Sequence, residues 1–561
     1  MEWDEDYFIS PLNIPLQLSG TFGELRGSHF HAGYDFRTRG REGFETRAAA
    51  DGYISRISVS PVGYGHSLYI THPNGLKTVY AHLKDFHPDI KELVRKEQFR
   101  QESFRVRIHP SRNKFPVEQG ELIGWTGNSG SSGGPHLHFE VRKASTQEPI
   151  NPSKFNFPVE DNFDPIIKAI QIHPLTPEST VRIRRGNRTE TRRYQPALIE
   201  LSNLGGRYRP ANANNIMVSG PVGISVETID HQLRGGNPLG VKSVKMKKNG
   251  DLFYDHAKKR FSFAQTRFIQ AHVDHAARTD KRRSFQRLFL LPNNPLPFYN
   301  TVKNNGRIEL DDEDTAEFSI EVKDGFDNNS LAEFSIDAFQ PPLQTTQELR
   351  PVYDQMMPYQ SANYFRNEHL HVSFPRNSFY DTLYFSYQKE YPYSKAFSHR
   401  HHIHDKKDPV HHFFTITINP VNLPEKLKEK AFIARINDNE SFSYAGNDWT
   451  DGKLRGRSRV FGKYEIRVDT VAPRLSPINF TSGNNIASLE ALHFRVRDNV
   501  SGIDKYRAEI NGNWALAEYD PKNNLLSIPL DQRLPQDDIN LKLRIEDKVG
   551  NTRLYHARLK N

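Results

Sequence analysis

The sequence predicts a mainly β fold, in which an N-terminal antiparallel β-sheet domain is followed by immunoglobulin-like β-sandwich domains. Three observations carry this prediction. The chain combines 11% aromatic residues with 35 glycines and 35 prolines, a mixture typical of strands joined by tight turns. Short, turn-bounded alternating segments fill the first part of the chain. Further strands with polar turns fill the remainder, and 561 residues suffice for about three or four domains.

Composition and charge exclude several classes of function. Because the sequence has no cysteine, thiol catalysis, cysteine zinc sites and disulfides are excluded. No apolar run reaches the roughly 20 residues of a membrane-spanning helix, and the acidic residues 1–6 lack the apolar segment of a secretory signal. The net charge of +9 fits a mildly basic surface or attraction to an anionic polymer such as an acidic cell-wall polymer. No recognition motif for nucleic acid accompanies it, so no nucleic-acid partner is expected.

Residues 1–160 are predicted to form one domain. Alternating segments at residues 67–72 and 76–82 flank Asn74 and Gly75. An Asn-Gly pair between two alternating segments is a strong signal for a tight turn between antiparallel strands. We therefore predict a β-hairpin at this point of the N-terminal domain.

A helical insertion interrupts this domain at about residues 86–116. Between Pro88 and about Gln101, apolar residues recur at the spacing of a helix. After the insertion, a second short strand pair is expected at residues 121–125 and 136–142. The helix is therefore predicted to lie between strands of the sheet.

The rest of the chain is predicted to consist of three β-rich modules. Residues 322–328 and 545–551 share one pattern, in which a strand runs into an Asp/Gly/Asn turn and then into another strand. This repetition favours immunoglobulin-like β-sandwich units. Pro341 and Pro342 break the pattern between two of them. We place the modules at residues 161–341, 342–468 and 469–561.

Two polar features of these modules are interpreted as structural. The Asp/Gly/Asn turns contain no ordered run of acidic ligands, so we interpret them as turns and not as calcium sites. Residues 399–405 are rich in histidine and are followed by His411 and His412. Neighbouring histidines in a row rarely converge on one ion, so a solvated loop is the favoured interpretation.

The segment His31-Ala32-Gly33-Tyr34-Asp35 contains the first candidate metal ligands. Residues four apart in an extended backbone share one face, so His31 and Asp35 are expected to point the same way. Gly33 lies between them and adds no bulk. An imidazole and a carboxylate are ordinary zinc ligands.

The segment at residues 136–141 offers more polar groups on one strand. Alternation predicts that its polar members face a cleft and its apolar members a core. The polar members are His136, His138 and Glu140. The apolar members are Leu137, Phe139 and Val141. The preceding Gly/Ser-rich residues 127–135 either bring backbone close to a substrate or form a flexible connector. Tyr80 and His82, at the end of the hairpin strand, are expected to share a face.

Together these segments predict a catalytic zinc site. Such a site has three protein ligands and one position open for water. His31 and Asp35 supply two of the ligands. The residues themselves leave open whether His136 or His138 is the third. The other member of that pair and His82 would lie beside the metal.

From about Gly20 to Phe155, the sequence resembles the lysostaphin/LytM-type zinc endopeptidases. The motifs of that family are His-x₃-Asp, then Tyr-x-His, then a Gly/Ser-rich loop that ends in His-Leu-His-Phe-Glu, and all of them are present. The Gly-Glu-Leu-Ile-Gly segment at residues 120–124 also matches. The insertion at residues 86–116 departs from the shortest family members and puts the fine specificity in doubt.

The resemblance assigns roles that the residues alone leave open. It implies three zinc ligands, His31, Asp35 and His138. It implies a catalytic pair, His82 and His136. Because the sequence has no His-Glu-x-x-His segment, an imidazole must transfer the proton. We expect His136 to accept the water proton and His82 to hydrogen-bond the oxyanion or position the water, although the two roles could be exchanged.

The resemblance also implies that the substrate is peptidoglycan, cleaved in its stem peptide or cross-bridge. Such an enzyme must reach the wall, so we expect it in the periplasm or cell envelope of a bacterium, with a signal peptide removed or absent from this sequence. The alternative is a catalytically silent relative that binds the wall or activates another hydrolase. Such relatives typically lose site residues, whereas all five are present here. The C-terminal modules are expected to act as a spacer or as an arm that binds the wall or an envelope protein partner.

Overall fold

The predicted fold class is confirmed, because strands dominate all parts of the chain that the structure describes. The structure is a computed structural model. It describes residues 3–213, 215–340, 352–392, 394–483, 485–530 and 538–560. Each β-rich region has its own hydrophobic core, and the N-terminal core also takes side chains from the region that follows it.

Eleven described strands form the N-terminal sheet. They are β1 (Leu18–Gly20), β2 (Tyr34–Arg37), β3 (Glu45–Arg47), β4 (Gly52–Val59), β5 (His66–Thr71), β6 (Leu76–Phe86), β7 (Val106–Ile108), β8 (Pro116–Val117), β9 (Leu122–Thr126), β10 (His136–Lys143) and β11 (Pro149–Ile150). The main strand order is β1-β2-β10-β6-β5-β4-β7, and every pairing is antiparallel. The strands β2, β10 and β6, which contain most of the candidate site residues, are therefore direct neighbours.

The predicted hairpin and helix are both confirmed. Strands β5 and β6 pair around the Asn-Gly turn. Helix α1 (Pro88–Gln101) begins with Pro88, where the missing N–H costs no helical hydrogen bond. It ends where Glu102 adopts a left-handed conformation and donates its N–H back into the last turn. Of the predicted insertion at residues 86–116, only 88–101 is helical, and β7 returns the chain to the sheet.

The prediction of a second strand pair was wrong in one respect. Strands β9 and β10 both exist, but each pairs with β6 and not with the other. A single bridge between Gly127 and His136 is the contact between their ends. The pairing of β9 and β10 was predicted because they are close in sequence, but both instead pair with β6, which is farther away along the chain.

The second region contains thirteen described strands and two short helices. The strands are β12 (Ile166–Pro174), β13 (Thr180–Arg185), β14 (Arg188–Arg192), β15 (Ala197–Leu204), β16 (Arg207–Pro210), β17 (Asn215–Ser219), β18 (Val222–Ile229), β19 (Ser243–Lys248), β20 (Asp251–Ala257), β21 (Phe285–Arg287), β22 (Tyr299–Val302), β23 (Thr315–Lys323) and β24 (Asn329–Ala338). The helices are α2 (Ile269–His272) and α3 (His275–Lys281). Phe261, Ile269 and Phe298 from this region are buried in the core of the N-terminal sheet. The two regions therefore share a hydrophobic core.

The third and fourth regions are β-sandwiches. The third consists of β25 (Gln355–Met357), β26 (Asn363–Arg366), β27 (Leu370–Phe374), β28 (Leu383–Phe385), β29 (Tyr387–Glu390), β30 (Arg400–Ile403), β31 (Phe414–Ile418), β32 (Ala431–Ile436), β33 (Phe442–Gly446), β34 (Asp448–Thr450), β35 (Lys453–Ser458) and β36 (Gly462–Val468). The fourth consists of β37 (Arg474–Pro477), β38 (Ala491–Arg497), β39 (Ile503–Ile510), β40 (Asn513–Ala515), β41 (Glu518–Asp520), β42 (Leu525–Pro529), β43 (Ile539–Asp547) and β44 (Thr552–Leu559). Each sandwich closes two main sheets over one core.

The predicted module limits remain predictions. The break at Pro341 and Pro342, and with it the limit between residues 341 and 342, lies outside the described residues. None of the helices described above has the length and apolarity that a membrane span requires.

Candidate metal centre

Strand register brings three sequence-distant segments together. In the pairing of β10 with β2, His138 lies opposite Asp35. In the pairing of β10 with β6, the same residue lies opposite Ala81, next to His82. Leu137, Phe139 and Val141 are fully buried, as alternation predicts, and they fix β10 so that its histidines point away from the core.

His31 reaches the site from a loop and not from a strand. Strand β2 begins at Tyr34, so the extended-strand argument does not apply to His31. Its direction depends instead on the bend at Gly33. A Cβ at that position would lie 2.1 Å from the carbonyl oxygen of Phe139, so glycine is required where the loop crosses β10.

Three acceptor atoms from these segments converge on one point. The Nε2 atom of His31 lies 3.0 Å from Asp35 Oδ1 and 3.0 Å from His138 Nδ1. The distance between His138 Nδ1 and Asp35 Oδ1 is 2.8 Å. All three side chains are buried. They form one of the groups of described residues whose geometry suits a metal ion.

The outer nitrogen of each ligand histidine is held by a hydrogen bond. His31 Nδ1 donates to the carbonyl oxygen of Thr21 at 2.8 Å, and His138 Nε2 donates to Glu140 Oε1 at 2.8 Å. Because these partners only accept, each ring in its neutral, metal-binding form would direct a lone pair at the convergence point, from Nε2 of His31 and from Nδ1 of His138. Metal-bound histidines are usually oriented in this way.

Electrostatics favour a positive charge at this point. Burial alone would raise the pKa of Asp35, but His31 and the other two neighbouring histidines, His136 and His138, outweigh it and hold that pKa well below its usual range. Burial opposes protonation of His138, yet Asp35 and Glu140 together raise the pKa of His138 to about 9. The carboxylates that stabilise a proton here would equally stabilise a metal cation.

His82 enters the cleft through an irregular backbone. Its φ of 61° is left-handed, which is unfavourable for a residue with a side chain and is typical of functional sites. Its ring lies 4.8 Å from the ring of His136, whereas the ring of Tyr80 packs against Phe139 in the core. The prediction that Tyr80 and His82 share a face was therefore wrong, because the left-handed residue interrupts the alternation.

His136 borders the ligand group without joining it. Its Nε2 atom lies 3.4 Å from Asp35 Oδ1, and its Nδ1 atom donates to the carbonyl oxygen of Gly134 at 2.8 Å. The side chain is 15% exposed, more than those of His31, Asp35 or His138. His136 thus stands between the convergence point and solvent.

The Gly/Ser-rich loop at residues 127–135 is an ordered wall of the cleft. Ser131 donates its N–H to the carbonyl of Gly63, and the N–H of Gly63 donates to the hydroxyl of Ser131, both at 2.9 Å. Lys522 of the fourth region donates to the carbonyls of Asn128 and Ser132. The C-terminal sandwich therefore touches the loop that precedes the site histidines.

Sequence reasoning missed the roles of several supporting residues. Glu140 is fully buried, and besides His138 it contacts Arg142 at 2.5 Å and the hydroxyl of Tyr64 at 2.5 Å. Arg26 donates to Asp35 Oδ2 at 3.0 Å. Alternation had placed Glu140 on the histidine face, so its position was available as a signal. The contribution of Tyr64 and Arg26 depends on tertiary packing that no local pattern indicates.

The chemistry of the donor set fits zinc. Two imidazole nitrogens and one carboxylate oxygen are borderline ligands that zinc accepts readily, and three ligands leave a position for water. The hydrogen bonds to Thr21 and Glu140 supply the outer contacts that such a site needs. His31, Asp35 and His138 would hold the ion.

Comparison with known proteins defines the class of this domain. Residues 107–152 match the family model described as Peptidase family M23, and residues 354–469 match the Zu5-like domain. The N-terminal region therefore carries a LytM-type peptidase M23 domain. Peptidases of this family depend on a metal ion.

Individual relatives match the same region. The DD-carboxypeptidase/endopeptidase Mpg of Neisseria meningitidis is 32% identical over 158 residues, which is 27% of this chain and 30% of the relative. An uncharacterized metalloprotease of Haemophilus influenzae is 32% identical over 131 residues, 23% of this chain and 22% of the relative. The chain thus spans less than a third of the length of these curated relatives.

Solved structures also resemble this part of the chain. A zinc containing peptidase from Vibrio cholerae shares 25% identity, with a TM-score of 0.21, over 28% of this chain and 41% of its own. The catalytic domain of lysostaphin from Staphylococcus simulans shares 23% identity, with a TM-score of 0.17, over 24% of this chain and 86% of its own.

Substituting Glu140→Gln should weaken zinc binding by about 10- to 100-fold, because His138 loses the carboxylate that orients its ring. Competition with a zinc-binding dye measures the change. Tyr64→Phe is the matched control, since it removes a hydrogen bond to the same Oε1 but keeps the carboxylate. Near-UV circular dichroism must show that both variants are folded. Equal zinc affinity in Glu140→Gln and the parent protein would contradict the role of Glu140.

Proposed function

We propose that the N-terminal domain is a zinc-dependent endopeptidase that hydrolyses peptide bonds in peptidoglycan stem peptides or cross-links during cell-wall remodelling. One observation carries the proposal. His31, Asp35 and His138 converge within 3.0 Å of one another, and two more histidines, His82 and His136, border the same point. This arrangement contains both a metal site and groups that can transfer a proton.

We assign the proton transfer to His136. A bound zinc ion would polarise the scissile carbonyl and lower the pKa of a water molecule. His136 donates from Nδ1 to the carbonyl of Gly134, so Nε2 of the neutral ring carries a lone pair. That atom lies 3.4 Å from Asp35 Oδ1, beside the proposed metal ligands, and can accept the proton of the attacking water. The protonated ring can then donate to the leaving amine.

His82 is better suited to positioning the water. Burial and the neighbouring rings of His138 and His136 lower the pKa of His82 to about 3, which disfavours protonation. Its Nδ1 donates to the carbonyl of Ser129 at 2.9 Å, so Nε2 of the neutral ring can only accept. These contacts support a role in which Nε2 of His82 accepts a hydrogen bond from the water. They do not favour a role in which it donates to an oxyanion.

The resemblance to the LytM-type family supports the proposed substrate and location. The Neisseria relatives are named for carboxypeptidase and endopeptidase activity. LytM-type motifs imply peptidoglycan as the polymer that contains the peptide. We accordingly assign the enzyme to the periplasm or cell envelope of a bacterium.

Digestion of purified peptidoglycan tests the proposal. The zinc-loaded protein should release fragments with new termini within stem peptides or cross-links, identified by mass spectrometry. A chelator should stop the release, and added zinc should restore it. Retention of zinc without any new terminus would contradict the proposal and favour the catalytically silent alternative.

A further inference from the structure

A second group of acidic side chains lies at the junction of the N-terminal domain with the region that follows. Asp161 precedes β12, Asp230 follows β18, and Asp324 opens the turn between β23 and β24. One carboxylate oxygen of each lies within 4.8 Å of the others. The three residues come from segments far apart in sequence, so the fold itself assembles the group.

Two of these carboxylates are buried, and each has one oxygen atom without a hydrogen-bond partner. Asp230 is 1% exposed, and its Oδ1 atom has no hydrogen-bond partner. Asp161 is 9% exposed, and its Oδ2 atom likewise has none. Apart from burial, the charges that act on Asp161 and Asp230 are those of neighbouring carboxylates, with no positive side chain among them. Buried like charges at this distance require a cation or a proton.

We propose that Asp161, Asp230 and Asp324 bind a calcium ion. All ligand atoms are oxygens, which hard cations prefer and which distinguish this group from the histidine site. The carboxylate oxygens lie within 4.8 Å of one another, so one calcium ion with oxygen ligands at about 2.3–2.6 Å could contact all three. Magnesium usually retains several waters, so a buried group of protein oxygens favours calcium.

The neighbourhood of the group offers a further oxygen. The hydroxyl of Tyr34 is buried, and the negative charges of Asp324 and Asp161 act on it. It lies beside Gly325, the residue that follows Asp324. Tyr34 also contacts Phe326 of the same turn, with ring centroids 6.5 Å apart. A calcium ion here would therefore fasten the turn against β2, one residue from the zinc ligand Asp35.

The fourth region contains a similar group of three aspartates, but hydrogen-bond donors of the protein contact its carboxylate oxygens. Its members are Asp469, Asp498 and Asp547. Ser501 donates to Asp469 Oδ2 from its N–H at 3.1 Å and its hydroxyl at 2.7 Å. The N–H groups of Val500 and Gly502 donate to Asp498 Oδ2. Within this group, no buried carboxylate oxygen lacks a partner. It therefore serves as a matched control for the first group.

Calcium titration of the full-length, zinc-loaded protein tests the inference. Isothermal titration after removal of calcium should detect one calcium ion per chain, and calcium should raise the unfolding midpoint. Asp230→Asn should lose both effects, whereas Asp498→Asn should keep them. Without calcium, Asp230→Asn should be at least as stable as the parent, because it removes one of three repelling charges. Asp161→Asn gives a second test of the same group.

Several outcomes would overturn the assignment. They are the absence of calcium binding in the parent protein, unchanged binding in both Asp230→Asn and Asp161→Asn, loss of binding in Asp498→Asn alone, and stabilisation by magnesium but not by calcium. None of these measurements uses peptide hydrolysis. The inference therefore stands or fails independently of the proposed peptidase function.

Discussion

Replacing His136 by alanine is expected to lower the rate of peptide hydrolysis by about 10²- to 10⁴-fold, the usual contribution of a general acid–base group. The same variant should keep one zinc per chain, because His136 lies outside the group formed by His31, Asp35 and His138. Fragment release from peptidoglycan under single-turnover conditions measures the rate, and elemental analysis measures the zinc. The combination of full zinc content and lost hydrolysis is the signature of a proton-transfer role.

The control for this variant is His109→Ala. His109 is an exposed histidine of the same domain and directly follows β7, which contains none of the site residues. Both its rate and its zinc content should equal those of the parent. If His136→Ala lost its zinc, the division between ligands and proton-transfer groups would be wrong. If it kept both zinc and full activity, His136 would have no part in proton transfer.

The different environments of the two cleft histidines explain why the larger effect is assigned to His136. Burial and adjacent imidazoles lower the pKa of His82 to about 3, so this ring resists taking up a proton near neutral pH. His136 lies closer to Asp35 Oδ1 and is more open to solvent. Sequence alone left these two roles interchangeable, because two histidines in strands look alike until their burial is known.

Local patterns predicted those parts of the domain that local interactions determine. The Asn-Gly turn between β5 and β6, the helix that begins at Pro88, and the buried face of β10 all follow from turn chemistry, helix spacing and strand alternation. Each of these signals lies within about a dozen residues of sequence. The candidate ligand set was likewise recognised from short motifs.

Features that depend on long-range packing escaped prediction. Alternation failed at His82 because a left-handed backbone conformation turns the chain, and nothing in the residue type indicates it. The pairing of β9 and β10 with β6 required knowledge of the whole sheet. Lys522 contacts the loop at residues 127–135, and the two residues Lys522 and Ser132 are 390 positions apart in sequence.

The acidic group at Asp161, Asp230 and Asp324 shows the same limit. Calcium sites are recognised in sequence when their ligands follow one another in a single loop. Here three ligands come from three segments, so the sequence shows only an Asp/Gly/Asn turn at residues 324–328. The interpretation as a turn describes its local geometry well, since Asp324 accepts hydrogen bonds from Phe326 and Asn328. It omits the two carboxylates that folding brings to it.

Substituting Asp35→Asn is expected to affect zinc binding more strongly than any change outside the ligand group. Asparagine keeps the shape of the side chain but removes the negative charge at the convergence point. Removal of an outer contact of a metal site already costs about 10- to 100-fold in affinity, so loss of a ligand charge should exceed about 100-fold. Zinc content after dialysis should fall well below one per chain, and hydrolysis should be lost with it.

The comparison with His136→Ala separates binding from proton transfer. Asp35→Asn should lose metal and activity together, whereas His136→Ala should lose activity alone. Asp89→Asn is the matched control, because this carboxylate is 78% exposed on helix α1 and its removal should change neither quantity. Circular dichroism in the presence of chelator compares the folded state of all three variants without a metal contribution. Parent-like zinc affinity in a folded Asp35→Asn variant would remove Asp35 from the ligand set. The metal would then have to be held by the histidines, and the proposed open position for water would need to be reassigned.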